Sequence, residues 1–166
     1  MAFPPNQQAA LFLVNEIMPS VWARKPSATL TLVGRDPPPE IRALASDRVF
    51  VTGPVDDIRP YVHEAEVFVC PLQSGAGIKN KLLQAWAMGK PVVATSLSVG
   101  GLNAVDGNNL MIRDDADSIA TAVLQLVELP ERRMALGIQG RKTVEGDFTW
   151  TAQAERVESL LLGKPV

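Results

Sequence analysis

The sequence predicts an α/β fold in which helices cover both faces of a parallel sheet, and three observations carry that prediction. Short β-branched runs alternate with helical periodicities, several of those runs end in glycine, and the last third of the chain is helical. Strands and helices alternating at short spacing call for right-handed crossovers, which put helices on both sides of a parallel sheet. Ligands bind such sheets beyond the carboxyl ends of the strands.

In chain order, Ala9, Leu11, Phe12, Leu13, Ile17, Met18 and Val21 recur at helical spacing behind Pro4 and Pro5. The spacing predicts an amphipathic helix over 6–24, kinked by Pro19. An apolar run over 29–33 closed by Gly34 reads as a buried strand. Pro37 to Pro39 break the chain before a short helix reaching about Ala45; a strand over 49–52 ends at Gly53, a brief helix follows over 58–64, and another strand covers 66–70. Helical spacing returns over 78–88, with Gly89 placed as the carboxyl cap and a β-branched strand over 91–95. A strand over 109–113 follows, and Asp114 then looks like the N-cap of a helix to about Leu129. Pro130 opens a helix to about Val144, and Thr149 or Thr151 starts the last one. No internal repeat, low-complexity segment or linker divides the 166 residues, so one domain over 1–166 is expected.

Composition narrows the function. Hydrophobic residues make up 46% and charged residues 20%, the profile of a folded globular chain. The net charge is -2, and no stripe of Lys and Arg interleaves with aromatics, so nucleic acid is not an expected partner. Cys70 is the only cysteine and cannot close an internal disulfide, while the start of the chain lacks the features of a secretory signal. Both suit the cytoplasm, with peripheral attachment to the inner face of a membrane left open. No apolar run approaches the ~20 residues of a membrane helix, so no transmembrane segment is expected.

The informative stretch is Pro71-Leu72-Gln73-Ser74-Gly75-Ala76-Gly77-Ile78-Lys79-Asn80-Lys81, between a strand and a helix. Gly75 and Gly77 let the backbone approach a bulky group, and the free amides of the following helix start carry partial positive charge. Lys79 and Lys81 sit in that first turn, where the helix dipole disfavours cations by ~0.3 to 1 kcal/mol each. A bound diphosphate turns that cost into attraction. Solvated lysines on an ordinary glycine turn satisfy the spacing equally well. On this reading Ile78, Leu82 and Trp86 form a buried stripe at four-residue steps, with Lys81 and Gln84 on a more polar side. The segment is neither a Walker A loop nor a dinucleotide fingerprint: Gly89-Lys90 runs into Pro91 without the upstream glycine, and Gly75-Ala76-Gly77 lacks a third glycine.

From Gly75 through Lys79-Asn80-Lys81-Leu82-Leu83-Gln84-Ala85-Trp86-Ala87-Met88-Gly89-Lys90-Pro91 to Thr95, the run resembles a signature of the group-1 retaining glycosyltransferases of the GT-B fold. The similarity extends to Val33-Gly34-Arg35, to Val51-Thr52-Gly53-Pro54-Val55-Asp56-Asp57-Ile58, to Gly101-Leu102 with Asp106-Gly107, and to Leu136-Gly137, Gly140-Arg141 and Phe148-Thr149-Trp150. The resemblance implies a carboxyl-terminal Rossmann-like domain that binds a UDP- or GDP-linked sugar without a metal or other cofactor. It implies Lys81 and Lys79 as the diphosphate-binding, catalytic groups, and Ser74, Gly75, Ala76, Gly77 and Ile78 facing the sugar phosphate. Gly53, Pro54 and Val55 would flank the base, with Gln84 at the ribose. Two positions depart from the family's pattern, which commonly has a basic residue at Gln73 and an acidic one at Gln84. A neutral amide at 84 still accepts a hydrogen bond, without charge assistance worth ~1 kcal/mol.

The start of the chain resembles the loop that follows the first strand of such a domain. The resemblance therefore implies that this strand and the amino-terminal acceptor domain are missing, and the isolated half is expected to be inactive. Strand edges left without partners are then expected to produce a rearranged sheet or a strand-mediated oligomer.

Other residues have plainer readings. Cys70 reads as a small buried hydrophobe and His63 as a helix-surface residue. Asp56-Asp57 and Asp114-Asp115 precede predicted helices, where carboxylates cap free amides rather than hold a metal. Trp22, Trp86 and Trp150 read as packing residues, and Arg35 reads either as cleft-facing or as solvated. Three functions compete: donor binding in sugar transfer, a degenerate non-catalytic interaction module, and a sugar-nucleotide epimerase of the same fold. The scarcity of histidine near the glycine loop argues against the epimerase.

Overall fold

A computed structural model describes residues 1–162. Helix α1 (Pro4–Phe12) starts two residues earlier than the spacing predicts, because Pro4 and Pro5 fill the first helical positions, where no amide donor is needed. A π-helical turn over Leu13–Ile17 leads directly into α2 (Met18–Arg24), and the Met18 N–H donates back to the Leu13 carbonyl. The kink expected at Pro19 takes this form: proline has no N–H to continue the ladder, and the widened turn just before it absorbs the mismatch.

The chain continues through β1 (Leu30–Leu32), α3 (Pro39–Arg42), β2 (Val49–Val51), α4 (Arg59–Glu64) and β3 (Phe68–Cys70). Helix α5 (Asn80–Ala87), β4 (Val92–Ala94), a 3-10 turn over Ser96–Val99 and β5 (Met111–Ile112) follow, then α6 (Ala116–Glu128), α7 (Pro130–Asp147) and α8 (Trp150–Leu161). Every expected element forms, most of them shorter at the ends. The 3-10 turn is the one the sequence reading lacked. The N-cap of α6 is Asp115, which accepts from the Ser118 N–H, and not Asp114, whose carboxylate instead accepts from the Ser96 N–H and hydroxyl.

All strand pairs are parallel, as predicted, but they form two sheets and not one. Leu30 lies opposite Val49 in the β1–β2 pair, while Phe68 opposes Val92 and Val93 opposes Met111 in the β3-β4-β5 sheet. No strand among the described residues joins β1 to β3. The facing edges of β1 and β3 border a cleft of about 810 Å³.

Side chains of the larger sheet alternate between two cores. Val93 and Met111 join Leu13, Ile17, Val21, Leu124 and Leu126 on the face covered by α1, α2 and α6. On the opposite face Cys70, Val92 and Ala94 join Leu82, Ala85 and Trp86 of α5. Helix α7 packs closely on α5 through two glycines. A Cβ built on Gly137 would lie 2.0 Å from the Gly89 carbonyl oxygen, and one on Gly140 would lie 2.4 Å from the Trp86 ring. Two predicted packing residues are not packed. Ile78 is 51% exposed because the helix begins only at Asn80, leaving it outside the helical register, and Trp150 is 92% exposed at the start of α8.

Candidate functional site

Beyond β3 the chain enters the glycine loop through a buried polar knot. The Cys70 carbonyl accepts from the Ser98 hydroxyl at 2.7 Å, the Leu72 carbonyl accepts from the Thr95 hydroxyl at 2.7 Å, and the Leu72 N–H donates to Ser98 Oγ at 3.2 Å. Thr95 also caps the 3-10 turn by accepting from the Ser98 N–H. These two hydroxyls tie the root of the loop to the end of β4. Sequence reasoning missed Ser98; the signal was a hydroxyl three residues after Thr95 just past a strand, the spacing at which such side chains close local turns.

Gly75 and Gly77 both adopt left-handed backbone, with φ of 107° and 77°. No backbone atom crowds either: a Cβ at Gly75 would come within 3.7 Å of the Pro5 ring, and one at Gly77 would meet nothing within 4 Å. Glycine is needed here for conformation and not for space. The next residues do not continue as helix. Lys79 is the N-cap of α5 in extended conformation, without a side-chain cap, so the first amides of the helix face the loop.

Neither ammonium group points into open solvent. Lys79 Nζ turns back over the loop and donates to the carbonyls of Ala76 at 2.6 Å and Gly77 at 2.9 Å. Lys81 Nζ, half-buried, donates to Asn6 Oδ1 at 2.6 Å. Ser74 adds a second bridge to α1, its hydroxyl donating to Gln8 Oε1 at 2.7 Å. The loop is thus held between the amino ends of α1 and α5. Among the described residues no ion pair involves Lys79 or Lys81. Each lysine has three N–H donors, so Lys81 keeps two and Lys79 one.

The remaining predicted residues fall in two places. Lys81 and Gln84 line the upper end of the cleft between β1 and β3, together with Met1, Asn6 and Gly34. Gly53, at φ 70°, turns the chain after β2. Pro54 and Val55 line a separate, shallower depression of about 550 Å³ with Asp56, Asp57 and Tyr61. Tyr61 lines both hollows, and among the described residues no backbone hydrogen bond connects the Gly53 turn with the Gly75 loop. Arg35 is exposed, its carbonyl accepting from the Met1 amino group.

The plainer readings mostly hold. Asp57 accepts from the Arg59 N–H at 2.9 Å and from its guanidinium, which holds the carboxyl below its ordinary pKa. Burial pushes the Cys70 thiol up, as suits a core residue, and His63 is exposed on α4. Trp22 donates to the Ala28 carbonyl with Arg48 stacked over its ring, and Trp86 is fully buried. No described helix is long and apolar enough to cross a membrane.

The chain is similar to known proteins in sequence and in fold. Residues 1–129 match the family described as glycosyl transferases group 1. The chain is 34% identical over 154 residues to the lipopolysaccharide core biosynthesis glycosyltransferase LpsE of Rhizobium meliloti, covering 86% of this chain and 44% of that protein. It is 31% identical over 163 residues to a GDP-mannose-dependent alpha-(1-6)-phosphatidylinositol monomannoside mannosyltransferase of Mycolicibacterium smegmatis, covering 89% and 43%. The fold superposes on Anabaena HepE in complex with UDP with a TM-score of 0.78 at 17% identity, over 97% of this chain and 46% of that one. The chain spans less than half the length of each. With its parallel strands, its flanking helices and its glycine loop at the end of β3, the chain belongs to the group 1 glycosyltransferase family and has the fold of the carboxyl-terminal half of a GT-B enzyme.

Proposed function

We propose that this chain is the donor-binding half of a retaining glycosyltransferase, taking the diphosphate of a UDP- or GDP-linked sugar at the loop between Ser74 and Lys81. One observation carries this reading: two ammonium groups are held at the amino end of a helix by neutral oxygens alone. The dipole of α5 opposes cations there, and no carboxylate offsets it. A diphosphate supplies the missing negative charge and meets the spare N–H donors of Lys81 and Lys79 at the positive end of the helix dipole.

In this reading the amides from Gly75 to Ile78 face the sugar phosphate. Gln84, beside Lys81 at the cleft, meets the ribose, and the Gly53-Pro54-Val55 turn flanks the base. As the bond from sugar to diphosphate breaks, negative charge grows on the leaving phosphate. In this reading Lys81, Lys79 and the helix terminus offset that charge at the loop. In such an enzyme the acceptor is held by the other half. The GDP-mannose and UDP named for its relatives support the ligand class and leave the base open.

Calorimetric titration with UDP and GDP tests the proposal. One of them is expected to bind, and Lys81→Ala to weaken it about tenfold or more, the ~1.4 kcal/mol of a charge-assisted contact. No heat from either nucleotide at about millimolar concentration, the ~4 kcal/mol limit of useful binding, would overturn it.

A further inference from the structure

The structure assigns Asn6 a role at the glycine loop: it is a positioning residue that orders the Lys81 ammonium through a neutral oxygen and leaves its charge free for a diphosphate. The assignment rests on the donor-binding reading above and adds a residue through which that site acts.

Asn6 is placed by α1 and not by the loop. Phe3 is the N-cap of that helix, Pro4 and Pro5 fill its first two positions, and Asn6 takes the third, its N–H donating to the Phe3 carbonyl at 3.0 Å. The two proline rings fix φ where the helix begins. Two more contacts hold this end of α1 against the loop. Gln8 Oε1 accepts from the Ser74 hydroxyl at 2.7 Å, and the Pro5 ring lies 3.7 Å from where a Cβ on Gly75 would stand. From this footing Asn6 Oδ1 accepts from Lys81 Nζ at 2.6 Å, Lys81 being the second residue of α5. An ammonium only donates, so the amide must turn its oxygen toward it, which fixes the orientation of Asn6 as well.

Stability alone calls for a carboxylate at position 6. Aspartate there would meet the half-buried ammonium in a charge-assisted bond, stronger than the neutral one, and the first turn of a helix is where the dipole favours an acid. Both effects act in the same direction. The first turn of α1 nevertheless carries no acidic residue, and among the described residues no carboxylate forms an ion pair with Lys81. The amide forgoes both stabilisations and keeps something else: the long flexible stem of the lysine is ordered while its charge stays uncompensated. A ligand that meets an ordered side chain is spared the entropy of ordering it, so binding tightens without any contact between Asn6 and the ligand. Lys79 is held by the same rule, on the carbonyl oxygens of Ala76 and Gly77.

The test is calorimetric titration of the 166-residue chain with whichever of UDP and GDP the unsubstituted chain binds, beside a thermal melt of each variant. Asn6→Asp is decisive. Its Tm is expected at or above that of the unsubstituted chain, while nucleotide affinity falls about tenfold or more, because the new carboxylate neutralises Lys81 and repels the diphosphate. Asn6→Ala removes the tether and leaves the charge, so it is expected to weaken binding about threefold to tenfold. In a chain that already carries Lys81→Ala, it is expected to weaken binding no further. Asn6→Asp that binds as tightly as the unsubstituted chain would overturn the proposal. So would affinity losses that follow Tm, the mark of a plain staple between α1 and α5. Losses from Asn6→Ala and Lys81→Ala that simply add would put Asn6 on the ligand itself and overturn it too. An unsubstituted chain that binds neither nucleotide strikes the donor-binding reading and this inference with it, whereas normal binding with any of the three results above strikes this inference alone.

Discussion

At the scale of single residues, the sequence named Lys79, Lys81, Gly75 and Gly77 from their spacing, and the structure supplies what spacing cannot: the partners. Asn6 and Gln8, 75 and 66 positions away from the lysine and serine they hold, were invisible because contacts across such distances exist only once the chain is folded. Ile78 and Trp150 failed as packing residues because periodicity assumes a helix that had not yet begun at the first and a covering neighbour that the second lacks. Cys70 gives a clean test of burial at this scale. Its thiol is pushed up by desolvation, so in the native chain it is expected to resist a thiol-labelling reagent at mildly alkaline pH and to react promptly in denaturant. Fast labelling of the folded chain would place it outside the core.

At the scale of elements, the contact between α5 and α7 rests on missing side chains. Gly137 lets α7 touch the backbone at Gly89, and Gly140 accepts the face of Trp86. Gly137→Ala is expected to cost about 2 kcal/mol or more through overpacking, lowering Tm by roughly 4–8 °C in calorimetry or a thermal melt. Gly146, on the same helix with nothing within 4 Å, is the control: Gly146→Ala should stabilise by ~0.4–1 kcal/mol through the unfolded chain. Equal effects at the two sites would contradict the packing described. The resemblance singled out Gly137 and Gly140, but the Gly89 backbone and the Trp86 ring they meet lie far away in sequence and come into view only in the folded chain.

For the whole molecule, stability against acid follows from three carboxylates. The Arg59 side chain and N–H hold Asp57 below its usual range, and Ser118 does the same for Asp115. Partial burial pulls Asp106 up, but bonds from the Ile112 N–H and the Arg113 guanidinium outweigh it and leave the group lowered. A depressed folded pKa stabilises above the unfolded value and loses that contribution as pH falls through the folded one. The urea midpoint is therefore expected to stay level from neutral pH down to about 5 and to drop below about pH 4, near the unfolded carboxylate range. Asp106→Asn should remove part of that drop. A midpoint that falls instead between pH 7 and 5 would assign the dependence to other groups.

By itself the sequence determined the kinds and order of elements, the all-parallel pairing and the position of the glycine loop, because periodicity, proline and glycine act locally and each segment carries its own instruction. The bridges from α1 to the loop, the Thr95–Ser98 knot and the glycine seam under α7 were decided only by tertiary structure. Each of these depends on which surfaces meet. A strand's hydrogen-bonding groups are the same along any chain, and which neighbour they face is settled by packing alone.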